Sequence, residues 1–238
     1  MPAARELAGF LSVLQLSDSG FPGGRYTLSH GLESFAQEEL LETPCGADDL
    51  AALLADCVRF GVGPSDGVAL ACAHRAVADD GTVDVEPVVQ ADQRLSAVKL
   101  AREPRDASTR SGRALLAAAP AVTGVRMRGY ADLVALGYVP GNHAVVLGLL
   151  AAVLDVPRFH AVAGELFAFS AGWVAAAVRL GLTDHLTAQL VLRRVRPVLA
   201  EAAERATAGG VDDIFSCTLL PDVMSMRHEQ AELRLFAS

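Results

Sequence analysis

The segment from Phe159 to Leu180 is apolar on every side except at His160, Glu165 and Arg179. A helix of this kind has no polar face to turn to water, so in a water-soluble protein it lies buried in the middle of a bundle. Everything else in the chain has to cover it. Residues that are hydrophobic make up 52% of the 238, yet aromatics are only 5%, so the core is built from Ala, Leu and Val, which suits closely packed helices better than sheets. An all-α, single-domain bundle of about ten helices, spanning residues 1–238 around a central buried helix, is the expected architecture.

Helical periodicity supports this along most of the chain. Leu28, Leu32, Phe35, Ala36 and Leu40 recur at intervals of three and four and predict one apolar stripe. Asp48 or Asp49 is placed to cap a run that the Gly61, Gly63, Pro64 cluster should end, and Ser65 or Asp66 to cap the next helix, to about Ala78. Helices are expected from Glu86 to Ala101 and from Pro104 to Ala119, the second with proline in its first turn. Gly124 to Gly141 is the least regular stretch. Asn142 then caps a run to Leu154, and Thr183 or Asp184 begins a long amphipathic helix to about Ala208, stopped by Gly209 and Gly210. Val211 to Ser238 reads as a loop-rich tail.

Several function classes are disfavoured. The net charge of -8 argues against a nucleic-acid surface, which needs an excess of Lys and Arg, and Lys99 is the one lysine among 20 basic residues. Cys45, Cys57, Cys72 and Cys217 form no C-x-x-C pair, so neither a zinc ribbon nor a disulfide framework is signalled. Uncharged stretches such as His143 to Leu154 are short for a bilayer span, and no membrane partner is expected. A cytoplasmic protein fits these features.

The stretch "LSDSGFPGGRYTLSHGLESF", Leu16 to Phe35, invites a phosphate-binding reading. However, Gly20, Gly23 and Gly24 are followed by Arg25 and Tyr26, with no lysine where a P-loop needs one. Ser29, His30 and Glu33 suggest a hydrolase, but Ser29 lacks the G-x-S-x-G elbow that would expose a nucleophile, and a solvated polar edge shared with Gln37 is the simpler expectation. The six histidines include no H-x-x-x-H pair, so no metal site and no cofactor are predicted. The tail "LPDVMSMRHEQAELRLF" mixes apolar Met224, Met226, Leu233, Leu235 and Phe236 with charged Arg227, His228, Glu229 and Arg234. Such an end frays alone or is ordered by a partner.

Four pieces of the chain carry a family resemblance. "SHGLE", Ser29 to Glu33, after the "FPGG" turn, resembles the S-x-G-L-E signature of the urease accessory protein UreF family. "AREPRDASTRSGRALL", Ala101 to Leu116, resembles that family's R-E-x-R-x-x-S-x-x-x-G-x-x-L-L helix. "GNHAVVLGLLAAVLDVP" is similar to its H-x-P-V-V-x-G segment, with Ala144 and Val145 departing from the aromatic-proline pair, and "SMRHE" with "RLF" matches its C-terminal end. The four occur in family order across nearly the whole chain.

The resemblance implies a non-enzymatic, all-helical chaperone of urease maturation. It implies a homodimer that binds UreD, also called UreH, and recruits the GTPase UreG for nickel insertion into apo-urease. It points to Ser29, His30, Gly31 and Glu33, and to Ser225, Met226, Arg227, His228 and Glu229, as partner-binding residues, with 211–238 a tail ordered by its partner. Two alternatives are a nickel-binding relay protein, using His228 or Cys217, and a helical hydrolase using Ser29, His30 and Glu33.

Overall fold

The structure is a computed structural model that describes residues 2–231 and 234–237; Leu233 of the tail lies outside them. No β-strand occurs among the described residues, and the α-helical bundle expected from the sequence is what the chain forms. The helices are α1 (Pro2–Ser17), α2 (Leu32–Gln37), α3 (Ala47–Asp56), α4 (Val68–Arg75), α5 (Val85–Val98) and α6 (Arg102–Thr123). They continue with α7 (Arg128–Ala135), α8 (His143–Val153), α9 (Arg158–Arg179), α10 (His185–Ala208) and α11 (Leu219–His228).

A central buried helix exists, but it is α8 and not the 159–180 segment. Every residue of α8 from His143 to Ala151 is buried, flanked by α4, α6 and α9. Its eleven residues carry no Asp, Glu, Lys or Arg, so burial on all sides strands no formal charge. By contrast, α9 buries Leu166, Trp173 and Ala177 while leaving Phe167 exposed. Small residues explain the difference: Gly164, Ala168, Ala171 and Gly172 on that side need little cover. By length and composition α9 would also cross a membrane, and 56% of its most apolar stretch is buried within the bundle.

The entry to α8 is fixed by one carboxylate. Fully buried Asp92 on α5 accepts from the Tyr130 hydroxyl at 2.8 Å, the Gly141 N–H at 2.8 Å and the Asn142 N–H at 2.9 Å. Its Oδ1 also accepts from the Asn142 side-chain amide at 2.7 Å. Asn142 does precede α8, but its side chain serves this cluster and makes no cap bond to its own helix.

The Gly61, Gly63, Pro64 cluster does not stop a helix. Residues Cys57–Gly67 form a π-helical segment that joins α3 to α4 without a break, and Ser65 Oγ donates back to the Gly61 carbonyl at 2.8 Å. A wider turn accommodates the N–H that Pro64 lacks. Gly63 serves packing: a Cβ there would lie 2.5 Å from the Val58 carbonyl and 3.3 Å from Ala202 of α10. Elsewhere α7 occupies part of the irregular 124–141 stretch, and α11 gives the tail regular structure. At the N-terminal signature the apolar stripe yields only the short α2, because His30 and Gly31 adopt φ of 54° and 80° and break the helix before it.

Candidate functional site: the seam between the N-terminal signature and the C-terminal segment

Glu33 and His228 stand 195 residues apart in sequence and touch. Glu33 is 1% exposed, so the polar edge expected to be solvated is in fact buried; Ser29 is buried too, and only Gln37 of that edge is exposed. His228 is wholly buried on α11, with Nε2 2.9 Å from Glu33 Oε2 and Nδ1 2.6 Å from Glu103 Oε2. Each ring nitrogen thus has a carboxyl oxygen within hydrogen-bond distance. Arg234 Nη1 donates to Glu103 Oε1 at 2.9 Å, which joins Glu33, Glu103, His228 and Arg234 in one buried to half-buried quartet.

The seam extends on both sides of this quartet. The backbone N–H groups of Leu235 and Phe236 donate to Glu33 Oε1 and Oε2 at 2.8 and 3.0 Å. Glu229 Oε1 accepts from the N–H groups of Arg102 and Glu103, at 2.7 and 3.2 Å, and so caps the otherwise unpaired N-terminus of α6. Arg227 pairs with Glu38. Gly31 makes the close approach possible: its φ is positive, and a Cβ would stand 2.9 Å from Ser225 Oγ and 3.1 Å from the Pro221 carbonyl.

The glycine turn also joins the tail. Arg179 of α9 lies over the Tyr26 and Phe236 rings, 4.3 and 4.5 Å from their centroids, and donates to the Tyr26 carbonyl at 2.6 Å. The Ala237 N–H donates to the Thr27 carbonyl at 2.8 Å. The turn therefore holds no phosphate-cradle geometry; it is a clasp for the chain's own end.

Behind the seam lies a second buried ion pair that sequence reasoning did not assemble. Arg25 donates from Nη1 and Nη2 to the two oxygens of Glu165, at 2.7 and 2.9 Å, and from Nη1 to His143 Nε2 at 3.0 Å. Burial alone would raise the Glu165 pKa, but the Arg25 guanidinium outweighs that and holds it at about 2. The signal was visible: a lone glutamate on an otherwise apolar helix face needs a partner. His30, partly buried against Phe169 with ring centroids 4.6 Å apart, is pushed down to about 3 by burial, then by the cations Arg25 and Lys99.

Of the nine residues expected to bind partners, Ser29, Gly31, Glu33, Ser225 and His228 are buried in this seam, while Met226 and Arg227 face outward. The outer face of α11 is apolar: Leu219, Leu220, Val223 and Met226 are all exposed. Glu103, Arg234 and Glu38 were missed, since nothing in their spacing announces a contact over 125 or more residues. For a hydrolase the geometry is unhelpful, because Glu33 is held by His228 and the His30 ring lies on Phe169. For a metal relay, both His228 nitrogens are already engaged, and no group of three His, Cys, Asp or Glu placed to hold an ion occurs among the described residues.

The amino-acid sequence is similar to those of a known family. The family model described as UreF matches residues 45–196. A urease accessory protein UreF of Trichodesmium erythraeum is 30% identical over 229 residues, covering 96% of each chain. One from Rhodopseudomonas palustris is 32% identical over 240 residues, covering all of this chain and 96% of the relative. A urease accessory protein UreF 2 from Brucella canis is 29% identical over 233 residues, covering 98% of this chain and 93% of its own length.

Proposed function

The chain belongs to the UreF family of urease accessory proteins, and from that premise we propose that it acts in the cytoplasm as a non-catalytic scaffold of urease maturation. In this reading it forms a homodimer, binds UreD, and recruits the GTPase UreG, so that nickel is delivered to apo-urease as the cargo of the assembly. The observation that carries it is the inverted polarity of α11. This helix turns His228 inward to two carboxylates and turns Leu219, Leu220, Val223 and Met226 outward. An exposed apolar ridge on a positioned helix is what a protein partner covers.

The roles divide accordingly. Glu33, Glu103, Ser225, His228 and Gly31 position the helix, and Glu229 ties it to α6. Met226 and Arg227, with the apolar ridge, make the contact with UreD. Docking orders whatever part of the 211–238 segment is loose in the free chain, which makes the UreG surface conditional on UreD. The test is co-purification of Val223→Glu/Met226→Glu with UreD. The scaffold reading expects loss of the complex with an unchanged circular dichroism spectrum and melting temperature; a complex that survives contradicts it.

A further inference from the structure

A cavity of about 70 Å3 lies between the glycine turn, α6, the start of α8 and α9, lined among others by Arg25, His30, Lys99, Ser108, His143 and Glu165. This is well above the ~10–15 Å3 that admits a single water. Two buried polar atoms of its lining have no partner among the described residues, His143 Nδ1 and Ser108 Oγ. His143 is 5% exposed. Arg25 Nη1, 3.0 Å from His143 Nε2, can only donate, so with Nε2 accepting from it the ring proton is carried on Nδ1. An N–H donor buried without an acceptor is costly, and such groups are ordinarily satisfied by something bound.

The rest of the lining is also rich in donors. Lys99 Nζ contacts Asp66 Oδ2 at 2.6 Å and has further hydrogens; Arg25 retains its Nε–H. The neighbouring carboxylates are largely committed, since both Glu165 oxygens take Arg25 and Asp66 Oδ2 takes Ser65 and Lys99. Among these four oxygens, Asp66 Oδ1 has no donor among the described residues. His143 also opens α8, an eleven-residue helix whose N-terminal end carries partial positive charge. Water would have to find acceptors for its own two hydrogens here. An occupant that only accepts would not.

We propose that this chamber binds a small planar oxyanion, of the formate or nitrate type, through His143 Nδ1–H, the Ser108 hydroxyl and the spare donors of Arg25 and Lys99. This goes beyond the scaffold reading and does not depend on it, because it concerns the isolated chain. At the ceiling known for very small ligands, three or four heavy atoms bind no tighter than about 0.5 mM to about 0.04 mM, so the measurement must cover the millimolar range.

The test is titration of the purified full-length chain with 13C-formate, followed by NMR line broadening at constant ionic strength in chloride. Saturable binding that nitrate displaces and chloride does not is expected. Ser108→Ala removes a hydroxyl with no protein partner, so it should fold normally and weaken binding about tenfold. His143→Gln should weaken it at least as much. Absence of saturable binding at tens of millimolar would overturn the proposal, as would equal displacement by chloride or an affinity unchanged in Ser108→Ala. If His143→Gln fails to fold, Ser108→Ala decides alone.

Discussion

The core helix α8 and the C-terminal helix α11 are of similar length, eleven and ten residues, and are built on opposite plans. Beyond His143 α8 is apolar all round, and it is buried from His143 to Ala151, with its polar anchoring confined to one end, where the Asp92 cluster and the Arg25–His143 contact lie. α11 buries His228 among carboxyl groups and exposes Leu219, Leu220, Val223 and Met226. Apolar burial is strong but non-directional, whereas a buried polar quartet contributes little net stability and much geometric definition. α8 therefore holds the molecule together, and α11 holds a surface in one orientation.

The largest expected effect attacks the first half of this contrast. Asp92→Ala leaves the Tyr130 hydroxyl and the 141–142 backbone donors unpaired, and a loss of about 4 kcal/mol in urea unfolding is expected, at every probe alike. A loss confined to one segment would show that α8 is not the common anchor.

Next comes His228→Ala, which leaves Glu33 and Glu103 facing a buried space without their shared hydrogen-bond partner. A cost of about 3 kcal/mol is expected, concentrated in the seam. Hydrogen exchange should report lost protection over 219–231 while α8 keeps its own.

Arg25→Ala sharpens the comparison from a third position. Glu165 has a folded pKa of about 2 against an ordinary 4.5, so its ionised form contributes stability that is complete above about pH 4.5 and is lost as pH falls towards 2. The variant should be less stable than wild type by about 2 kcal/mol at neutral pH, and the gap should narrow through that acidic window. A gap constant with pH would remove Glu165 from the account. The smallest effect on stability belongs to Leu220→Glu, within about 0.5 kcal/mol of wild type by thermal melting, because that side chain is already exposed.

Much of the fold was legible because helical periodicity is local. Fold class followed from abundant Ala, Leu and Val with few aromatics, and of Thr183 and Asp184, either of which was expected to begin α10, Asp184 caps it, accepting from the Thr187 N–H at 2.8 Å. The misreadings came from packing. Gly61, Gly63 and Pro64 look like a breaker in isolation, but a π-helical turn carries the chain through them, and Gly63 leaves room for Ala202 of α10. Similarly, 159–180 is more apolar than a half-exposed helix requires, and its small residues made the core position ambiguous.

The candidate site was half legible. The two signature motifs stood out through their resemblance to a family, yet their meeting could not be read, since contact between Glu33 and His228 is a property of topology and not of spacing. That is also why Glu33 was expected in solvent: an acidic residue beside an apolar stripe looks solvated until a buried hydrogen-bond partner is found opposite. Arg25 and Glu165 show the same lesson at 140 residues' separation.

The central claim is that α11 is oriented from within so that its outer face can be covered from without. Its most direct test is the calorimetric affinity of UreD for the wild-type chain against Met226→Glu, with the melting temperature of each measured alongside. The account predicts affinity reduced at least tenfold, about 1.4 kcal/mol, at an unchanged melting temperature. Equal affinity for the two chains would contradict it.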